Sequence, residues 1–389
     1  MAEGQADPVE RPHRPEGQGR VTDTRPLWDR VFADTPRRPY VPDVVWAGDD
    51  DARIDRGTDP NAWEEAVAAD IPLVTQVDDG TDAGHMIPTS SVSMPFLVRL
   101  MLERLDPHTD HNVLEIGTGT GWSTALLATA LTHGRVTSIE VDPTVASRAR
   151  ESLSARDFEP TLIVGDGLRG HKEGAPYDRL IATMAVQRVP YEWVEQVRPG
   201  GVIVTPWGTP YNNSSLLRLV VAGDGTASGR FVGNAAFMFA RSQRRRFEDR
   251  RLVGDVIADP DTARVRHTTT DPRPIREEHA DFAIGLRLPE VEHRTFFGSG
   301  DRAEQFTVWY ADGTSWAAID YKPGVDTYEV NEHGPRDLWA EIEAAYAAWR
   351  DQGEPPRERH GVTVTGDDQW AWLDEPGGGR VEIGPAPTT

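Results

Sequence analysis

The chain has 389 residues, no cysteine, and 41 lysines and arginines against 63 aspartates and glutamates, which gives a formal net charge of −22. Its length predicts more than one domain, and a hydrophobic content of 38% is enough for a packed core. The negative charge argues against binding nucleic acid, and the lack of thiols excludes disulfides, thiolate metal ligands and cysteine nucleophiles.

The sequence predicts neither a secretory signal nor a membrane span. Residues 1–25 are polar and rich in Pro and Gly, so we expect a disordered tail. Nowhere do about 18 apolar residues run together, which predicts no membrane span and favours a cytoplasmic location. Ordered structure is expected to begin with helical segments at 27–41, interrupted by Pro36, and at 62–69.

A strand–helix alternation from residue 113 to about 221 contains the most informative motif, VLEIGTGTGW at 113–122. An apolar strand runs into a glycine-rich turn, and a helix follows from Ser123 to about Leu131. Glycines let a backbone approach a ligand closely and adopt positive φ. A dinucleotide fingerprint would need glycine at 122, where Trp122 stands, and the Gly-Lys-Ser/Thr of a P-loop is absent.

The next strands end in side chains suited to a nucleoside. Strand 135–141 carries Glu140, placed to hold a ribose diol, and strand 161–164 leads into Asp166, placed at an adenine edge. Strand 177–182 ends at Thr183. Because parallel strands present their carboxyl ends at one edge of a sheet, the pattern predicts a doubly wound, Rossmann-like α/β domain that binds S-adenosylmethionine. We expect Glu115 near the sulfonium; Trp122 either packs on the cofactor or fills the space between helix and sheet.

The second half of the chain has a different pattern. We expect strands at 282–288 and 306–310, a hairpin turn at 311–314, a helix over 335–350 and a last hairpin at 361–373. Residues 26–240 are therefore assigned to the methyltransferase domain, 241–251 to an Arg-rich junction, and 252–389 to a separate C-terminal α+β domain that recognises substrate. The six arginines of 241–251 are either a docking strip for an acidic peptide or a solvated linker.

Some side-chain groups have simpler interpretations. His108 and His111 have a metal-like spacing without a third ligand in the sequence, so no metal site is predicted. The acidic pairs and runs near 49–51 and 78–79 are expected to be loop charges. Four tryptophans form either a peptide-binding face or the core of a small sheet: Trp309, Trp316, Trp370 and Trp372.

Residues 26–222 resemble the protein-L-isoaspartate O-methyltransferases. The resemblance is carried by SVSMP at 91–95, VLEIGTGTGW, GDGLRG at 165–170, APYDRLIAT at 175–183 and RPGGVIVTPWG at 198–208. It implies methylation of a carboxylate, with Ser91 and Ser93 beside the reacting group as catalytic residues; Ser93 is alternatively a helix N-cap. It implies that the cofactor, with S-adenosylhomocysteine as its product, contacts Ser93, Glu115, Gly117, Thr118, Gly119, Thr120, Gly121, Trp122, Glu140, Val141, Gly165, Asp166, Gly167 and Thr183.

The chain departs from ordinary repair enzymes in the loop at 184–187 and in everything that follows residue 237. In layout it is similar to long variants associated with ribosomally made, ATP-grasp-cyclised peptides (graspetides). That resemblance implies methylation of an aspartate in a macrocyclised precursor peptide, whose ester then closes to an aspartimide. Repair of isoaspartyl residues and a non-catalytic peptide-binding scaffold are the alternatives, and the oligomeric state is left open.

Overall fold

A computed structural model describes residues 25–48, 52–244 and 263–383. The predicted tail lies outside these residues except for Arg25, and so do residues 245–251 of the Arg-rich junction. Among the described residues, none of the helices is long and apolar enough to cross a bilayer.

An antiparallel four-stranded sheet with order β2-β1-β3-β4 opens the structure. The elements of this part are α1 (Arg25–Asp34), β1 (Val44–Ala47), β2 (Ala52–Asp55), α2 (Pro60–Ala68), β3 (Leu73–Val77), β4 (Pro88–Val92) and α3 (Pro95–Leu105). Helix α2 starts where Asp59 accepts a hydrogen bond from the Ala62 amide, with Pro60 at the first helical position. The two segments predicted to be helical are thus confirmed as α1 and α2.

The centre of the molecule is a ten-stranded mixed sheet. Its first elements are β5 (Asn112–Ile116), α4 (Trp122–Ala130), β6 (Arg135–Glu140), α5 (Pro143–Ser154), β7 (Thr161–Val164), β8 (Tyr177–Ala182), α6 (Tyr191–Gln196), β9 (Val197–Trp207), β10 (Ser215–Val221) and β11 (Ala227–Asn234). Five strands are parallel in the order β7-β6-β5-β8-β9. The chain reverses its winding between β5 and β8, the position where open α/β sheets bind ligands. The predicted doubly wound fold is confirmed.

A five-stranded antiparallel sheet with order β12-β16-β15-β14-β13 follows. This part contains β12 (Arg264–Thr268), α7 (Pro272–Ile275), α8 (Glu278–Arg287), β13 (Glu292–Phe297), β14 (Phe306–Ala311), β15 (Trp316–Tyr321), β16 (Tyr328–His333) and α9 (Leu338–Asp351). The predicted hairpin turn joins β14 to β15, and the predicted long helix is α9. Val308, Ile319 and Val330 pack under Ile342 of α9 and form a core of this sheet.

Residues 282–287 of the segment 282–288, predicted to be a strand, belong to helix α8, and Leu288 is its C-cap. The prediction was wrong because this helix is buried on nearly every side, from Ala280 through Phe282 and Ile284 to Leu286. A helix without a polar face loses the 3.6-residue periodicity that would distinguish it from a strand.

The predicted C-terminal domain is not a separate unit. Its last hairpin, β17 (His360–Val364) and β18 (Gln369–Leu373), and the short β19 (Arg380–Glu382) continue the central sheet, because β17 pairs antiparallel with β11. Arg357, fully buried just before β17, donates to the Ser214 carbonyl at 2.8 Å. The boundary expected at residue 252 therefore does not divide two independent cores.

The four C-terminal tryptophans do not form one peptide-binding face. Trp309 and Trp316 contact each other in the five-stranded sheet, with ring centroids 5.0 Å apart, whereas Trp370 and Trp372 lie on β18 of the central sheet. Trp316 and Trp372 are buried, which agrees with the alternative of core packing.

Candidate active site

A cavity of about 340 Å³ opens at the carboxyl ends of β5, β6, β7 and β8. Eleven predicted cofactor-contacting residues share its wall: Ser93, Gly117, Thr118, Gly119, Thr120, Trp122, Glu140, Val141, Asp166, Gly167 and Thr183. The second predicted catalytic residue, Ser91, also lines it. Three predicted residues do not, namely Glu115, Gly121 and Gly165.

The loop after β5 is shaped by its glycines. Gly117, Gly119 and Gly121 all have positive φ, between 56° and 92°. A Cβ added at Gly117 would lie 2.6 Å from Oγ1 of Thr183, so a larger residue would displace the tip of β8. The Thr183 hydroxyl donates to the Gly117 carbonyl at 2.5 Å, and this bond joins the tip of β8 to the glycine loop.

Glu140 stands at the end of β6 with its carboxylate fixed by the backbone. Oε2 accepts from the Gly119 amide at 2.9 Å, and Oε1 accepts from the Asp142 amide at 3.1 Å. Burial raises the pKa of Glu140, and these two hydrogen bonds work in the opposite direction by favouring the ionised form. The carboxylate is thus held rigidly at the cavity wall, as a ribose-binding acid requires.

Glu115, which was expected near the sulfonium, does not line the cavity. Its side chain is fully buried behind the loop, where it accepts from Ser123 at 2.5 Å, from Thr124, and from Ser138 at 2.7 Å. Burial raises the pKa of Glu115 despite the three hydroxyls. Glu115 therefore ties β5 to β6 and α4, and acts on the cavity only through the loop.

Asp166 and Gly167 form the side of the cavity at the tip of β7. Asp166 is half exposed, and its Oδ1 accepts from the Leu168 amide at 3.0 Å. A Cβ on Gly167 would lie 2.3 Å from Cγ2 of Ile116, so glycine is needed for close packing there. Gly165 lies one residue outside the wall, where its amide donates to the Glu140 carbonyl.

Ser91 and Ser93 reach the cavity from the end of β4. The N-cap of α3 is Met94, without a side-chain hydrogen bond, and Asp70 instead accepts from the Phe96 amide at 2.8 Å. The alternative role of Ser93 as a helix cap is therefore wrong. Within the described part of the chain, neither serine hydroxyl has a hydrogen-bond partner, so both are available to a ligand.

Trp122 is buried at the start of α4 and also lines the cavity, and its contact with the cofactor stays a prediction. Its indole Nε1 donates to the Thr35 carbonyl at 2.9 Å, and its ring meets Phe32 edge-on at 5.6 Å. The ring is buried and still forms part of the cavity wall. It therefore joins the segment that contains α1 to the cavity wall.

Sequence reasoning missed one wall of the cavity, a segment at 237–244 that we call the strap. Met238, Phe239, Ala240, Arg241 and Ser242 line the cavity from it. Its backbone pairs with the loop after β8, since the Ala185 amide donates to Met238 and the Ala240 amide donates to Ala185, each at 2.8 Å. In the sequence, the strap is marked only by an apolar run ahead of a cluster of arginines. That pattern does not show which other segment of the chain the strap contacts.

The described arginines of the junction are paired rather than free. Arg241 contacts Asp79 and Asp142, each at 3.1 Å, and Arg244 contacts Asp79 as well. Asp78 accepts from three backbone amides of residues 85–87, so this acidic pair stabilises loops as expected. A docking strip made of these two arginines would have to break existing ion pairs.

The structure brings Asp110 close to His108 and His111, so a third possible metal ligand lies beside the two histidines. One possible ligand atom from each of the three residues lies within 4.8 Å of the others. The two rings are stacked at 4.6 Å, and Nδ1 of His111 accepts from the His108 amide. Parallel stacked rings do not aim their nitrogen lone pairs at one point. The absence of a metal site stays a prediction.

The fold and the cavity together define a Rossmann-like S-adenosylmethionine-dependent methyltransferase. The sequence profile of the protein-L-isoaspartate(D-aspartate) O-methyltransferase family matches residues 52–245. The chain belongs to this family, whose members are S-adenosylmethionine-dependent protein carboxyl O-methyltransferases.

Individual relatives agree with this assignment. The protein-L-isoaspartate O-methyltransferase of Myxococcus xanthus (strain DK1622) is 37% identical over 161 residues, which is 41% of this chain and 70% of the relative. The enzyme of that name from Pyrococcus horikoshii is 36% identical over 149 residues, covering 38% of this chain and 67% of the relative. A solved protein-L-isoaspartate O-methyltransferase structure shares the fold, with a TM-score of 0.51 and 20% identity over 91% of this chain and 96% of that one.

Proposed function

We propose that the cavity binds S-adenosylmethionine with Glu140 accepting from the ribose hydroxyls and Asp166 accepting from the adenine amino group. The observation that carries this proposal is the convergence on one cavity of the glycine loop, the acid at the end of β6 and the serines at the end of β4. Apolar side chains of Ile139, Val141 and Leu168 beside the two acids suit the adenine ring.

The bound cofactor supplies an electrophilic methyl group on a positively charged sulfur. An oxygen of the substrate carboxylate forms a bond to the methyl carbon while the bond from carbon to sulfur breaks, which leaves a neutral ester and neutral S-adenosylhomocysteine. A carboxylate is ionised at neutral pH, so the enzyme needs no general base. Its own residues have two tasks: Ser91 and Ser93 orient the carboxylate, and the strap excludes water.

For the substrate, we propose an aspartate side chain in a macrocyclised, ribosomally made peptide. Attack by the following backbone nitrogen on the methyl ester would form an aspartimide and release methanol. The support is the segment PTSSVSMP at 88–95 and the five-stranded sheet, which lies beyond the part of the chain that the family profile matches.

Repair of isoaspartyl residues is the second candidate function. Its support is direct, because this chain matches protein-L-isoaspartate O-methyltransferases over two-thirds or more of the length of those enzymes. A cytoplasmic location remains an expectation for either function.

Methyl transfer from labelled S-adenosylmethionine separates the candidates. The substrates would be an isoaspartyl peptide, the same sequence with aspartate, and an aspartyl peptide closed by side-chain ester or amide links. Labelling of the closed peptide, followed by loss of labelled methanol, supports the first proposal. Labelling of the isoaspartyl peptide alone replaces it with repair. If S-adenosylhomocysteine does not bind in calorimetry, the protein is a scaffold and both proposals fail.

A further inference from the structure

Arg241 lies where the strap meets the four-stranded sheet, at the edge of the cavity. Its guanidinium reaches three groups on two other segments. Nε lies 3.1 Å from Oδ1 of Asp79, and Nη2 lies 3.1 Å from both Oδ2 of Asp142 and Oε1 of Gln76. The side chain is about one-quarter exposed, so this contact is partly shielded from solvent.

Asp142 connects this contact to Glu140. Its amide donates to Oε1 of Glu140 at 3.1 Å, while its own Oδ1 accepts from the Thr144 and Val145 amides and caps α5. Gln76 also donates to Oδ2 of Asp142, at 3.0 Å. The position of the Glu140 carboxylate is thus linked through Asp142 to the guanidinium of Arg241.

Asp142 adds a negative charge beside Glu140. It faces Glu140 from the start of α5, and the buried Glu115, whose own pKa is raised by burial, lies beneath the loop on β5. Burial raises the pKa of Glu140 and Asp142 adds to this rise, whereas the positive charge of Arg241 opposes it. Asp79, from the turn after β3, also pairs with Arg241.

We propose that Arg241 is a positioning residue for cofactor binding: by bridging Asp79 and Asp142 it closes the strap over the cavity and keeps Glu140 ionised to accept from the ribose hydroxyls. This inference rests on the proposed role of Glu140. It also gives the strap a function, since the same side chain that closes the cavity supplies the charge that the ribose-binding acid needs.

Arg244 provides a matched control. It lies on the same strap and pairs with the same Asp79, but it does not contact Asp142 and does not line the cavity. Loss of its ion pair should therefore leave the contacts of Arg241 with Asp79 and Asp142 in place and leave the charge beside Glu140 unchanged.

The test measures S-adenosylhomocysteine affinity by titration calorimetry across pH in the full-length protein and its variants. Arg241→Gln should weaken binding about tenfold at neutral pH. It should also shift the rise of affinity with pH to higher pH than in the wild type, because Glu140 then ionises later. Arg244→Gln should stay within about twofold of the wild type, with the wild-type pH profile.

Wild-type affinity in Arg241→Gln, or a loss of affinity with an unshifted pH profile, would overturn the proposal. An equal loss in Arg244→Gln would also overturn it. If Arg241→Gln does not fold, Arg241→Lys decides: one ammonium group cannot bridge both acids, so binding should weaken about threefold with the wild-type profile, and full affinity would contradict the proposal. Glu140→Gln separates the proposed role of Glu140 from the inference about Arg241. If it binds as the wild type does, the proposed role of Glu140 fails; if it loses affinity and Arg241→Gln does not, only the inference about Arg241 fails.

Discussion

The ring of Phe282 on α8 packs edge-on against Phe231 on β11, with centroids 4.9 Å apart and planes at 73°. Both side chains are about 1% exposed, and both belong to the core that also contains Trp207, Val362 and Leu217. The contact joins the part of the chain after residue 263 to the sheet that carries the active site. The two halves therefore share one hydrophobic core, and we expect them to unfold together.

Replacing Phe282 with alanine tests this shared core. The change should lower the free energy of unfolding by about 3–5 kcal/mol, because it leaves a cavity beneath the central sheet. Chemical denaturation followed by tryptophan fluorescence would measure it. Phe297→Ala, at a side chain 75% exposed, should change stability by less than about 0.5 kcal/mol. Two separate transitions, with only one of them shifted by Phe282→Ala, would show that the halves fold independently.

His360, the first residue of β17, should make the protein sensitive to acid. It is buried, its ring meets Phe282 edge-on at 5.3 Å, and burial lowers its pKa from 6.5 to about 4. The unfolded chain thus takes up the proton first, so stability is lost as pH falls from about 6.5 towards 4, by about 3 kcal/mol over the whole range.

Denaturant unfolding of wild type and His360→Gln at pH values across this range would check the prediction. The variant should lose less stability on acidification than the wild type does. His267→Gln, at an exposed position on β12, serves as the control and should follow the wild type. Parallel curves for the wild type and His360→Gln would contradict the assignment.

Glu115 should give the opposite pH dependence. Burial raises the pKa of Glu115 above the usual 4.5, so the folded state holds a proton that the unfolded chain has already released. The wild type should therefore lose stability relative to Glu115→Gln as pH rises above about 4.5, with a slope of at most about 1.4 kcal/mol per pH unit. Thermal melts at several pH values measure the difference, and Glu151→Gln on the exposed side of α5 is the control. A difference that grows in favour of the wild type would refute this sign.

Ser93 should affect turnover more than cofactor binding. Ser93→Ala removes a hydroxyl that can donate to the substrate carboxylate, and loss of a hydrogen bond to a charged group corresponds to about a tenfold to hundredfold lower kcat. S-adenosylhomocysteine affinity, measured by calorimetry, should change by no more than about twofold. The kinetic assay uses whichever peptide accepts the methyl group, with Ser91→Ala measured beside it. Full activity of Ser93→Ala would rule out an orienting role.

The sequence by itself determined the parallel half of the central sheet and twelve of the residues that line the cavity. Strands 161–164 and 177–182 were predicted with the bounds that the structure has, because their periodicity and turn residues are local properties. Glu140, Asp166 and Thr183 converge because parallel strands end at one edge, a rule that needs no knowledge of packing.

Only the tertiary structure decided which distant segments complete the site. Arg241 meets Asp142 across 99 residues, and β17 meets β11 across more than a hundred, and neither pairing leaves a periodic trace in the sequence. Helix α8 was mistaken for a strand because burial on nearly every side removes the polar face on which the helical pattern depends. The position of Glu115 was likewise not predictable from the sequence. Three hydroxyls from α4 and β6 stabilise its carboxylate behind the loop, and only the packed structure brings them together.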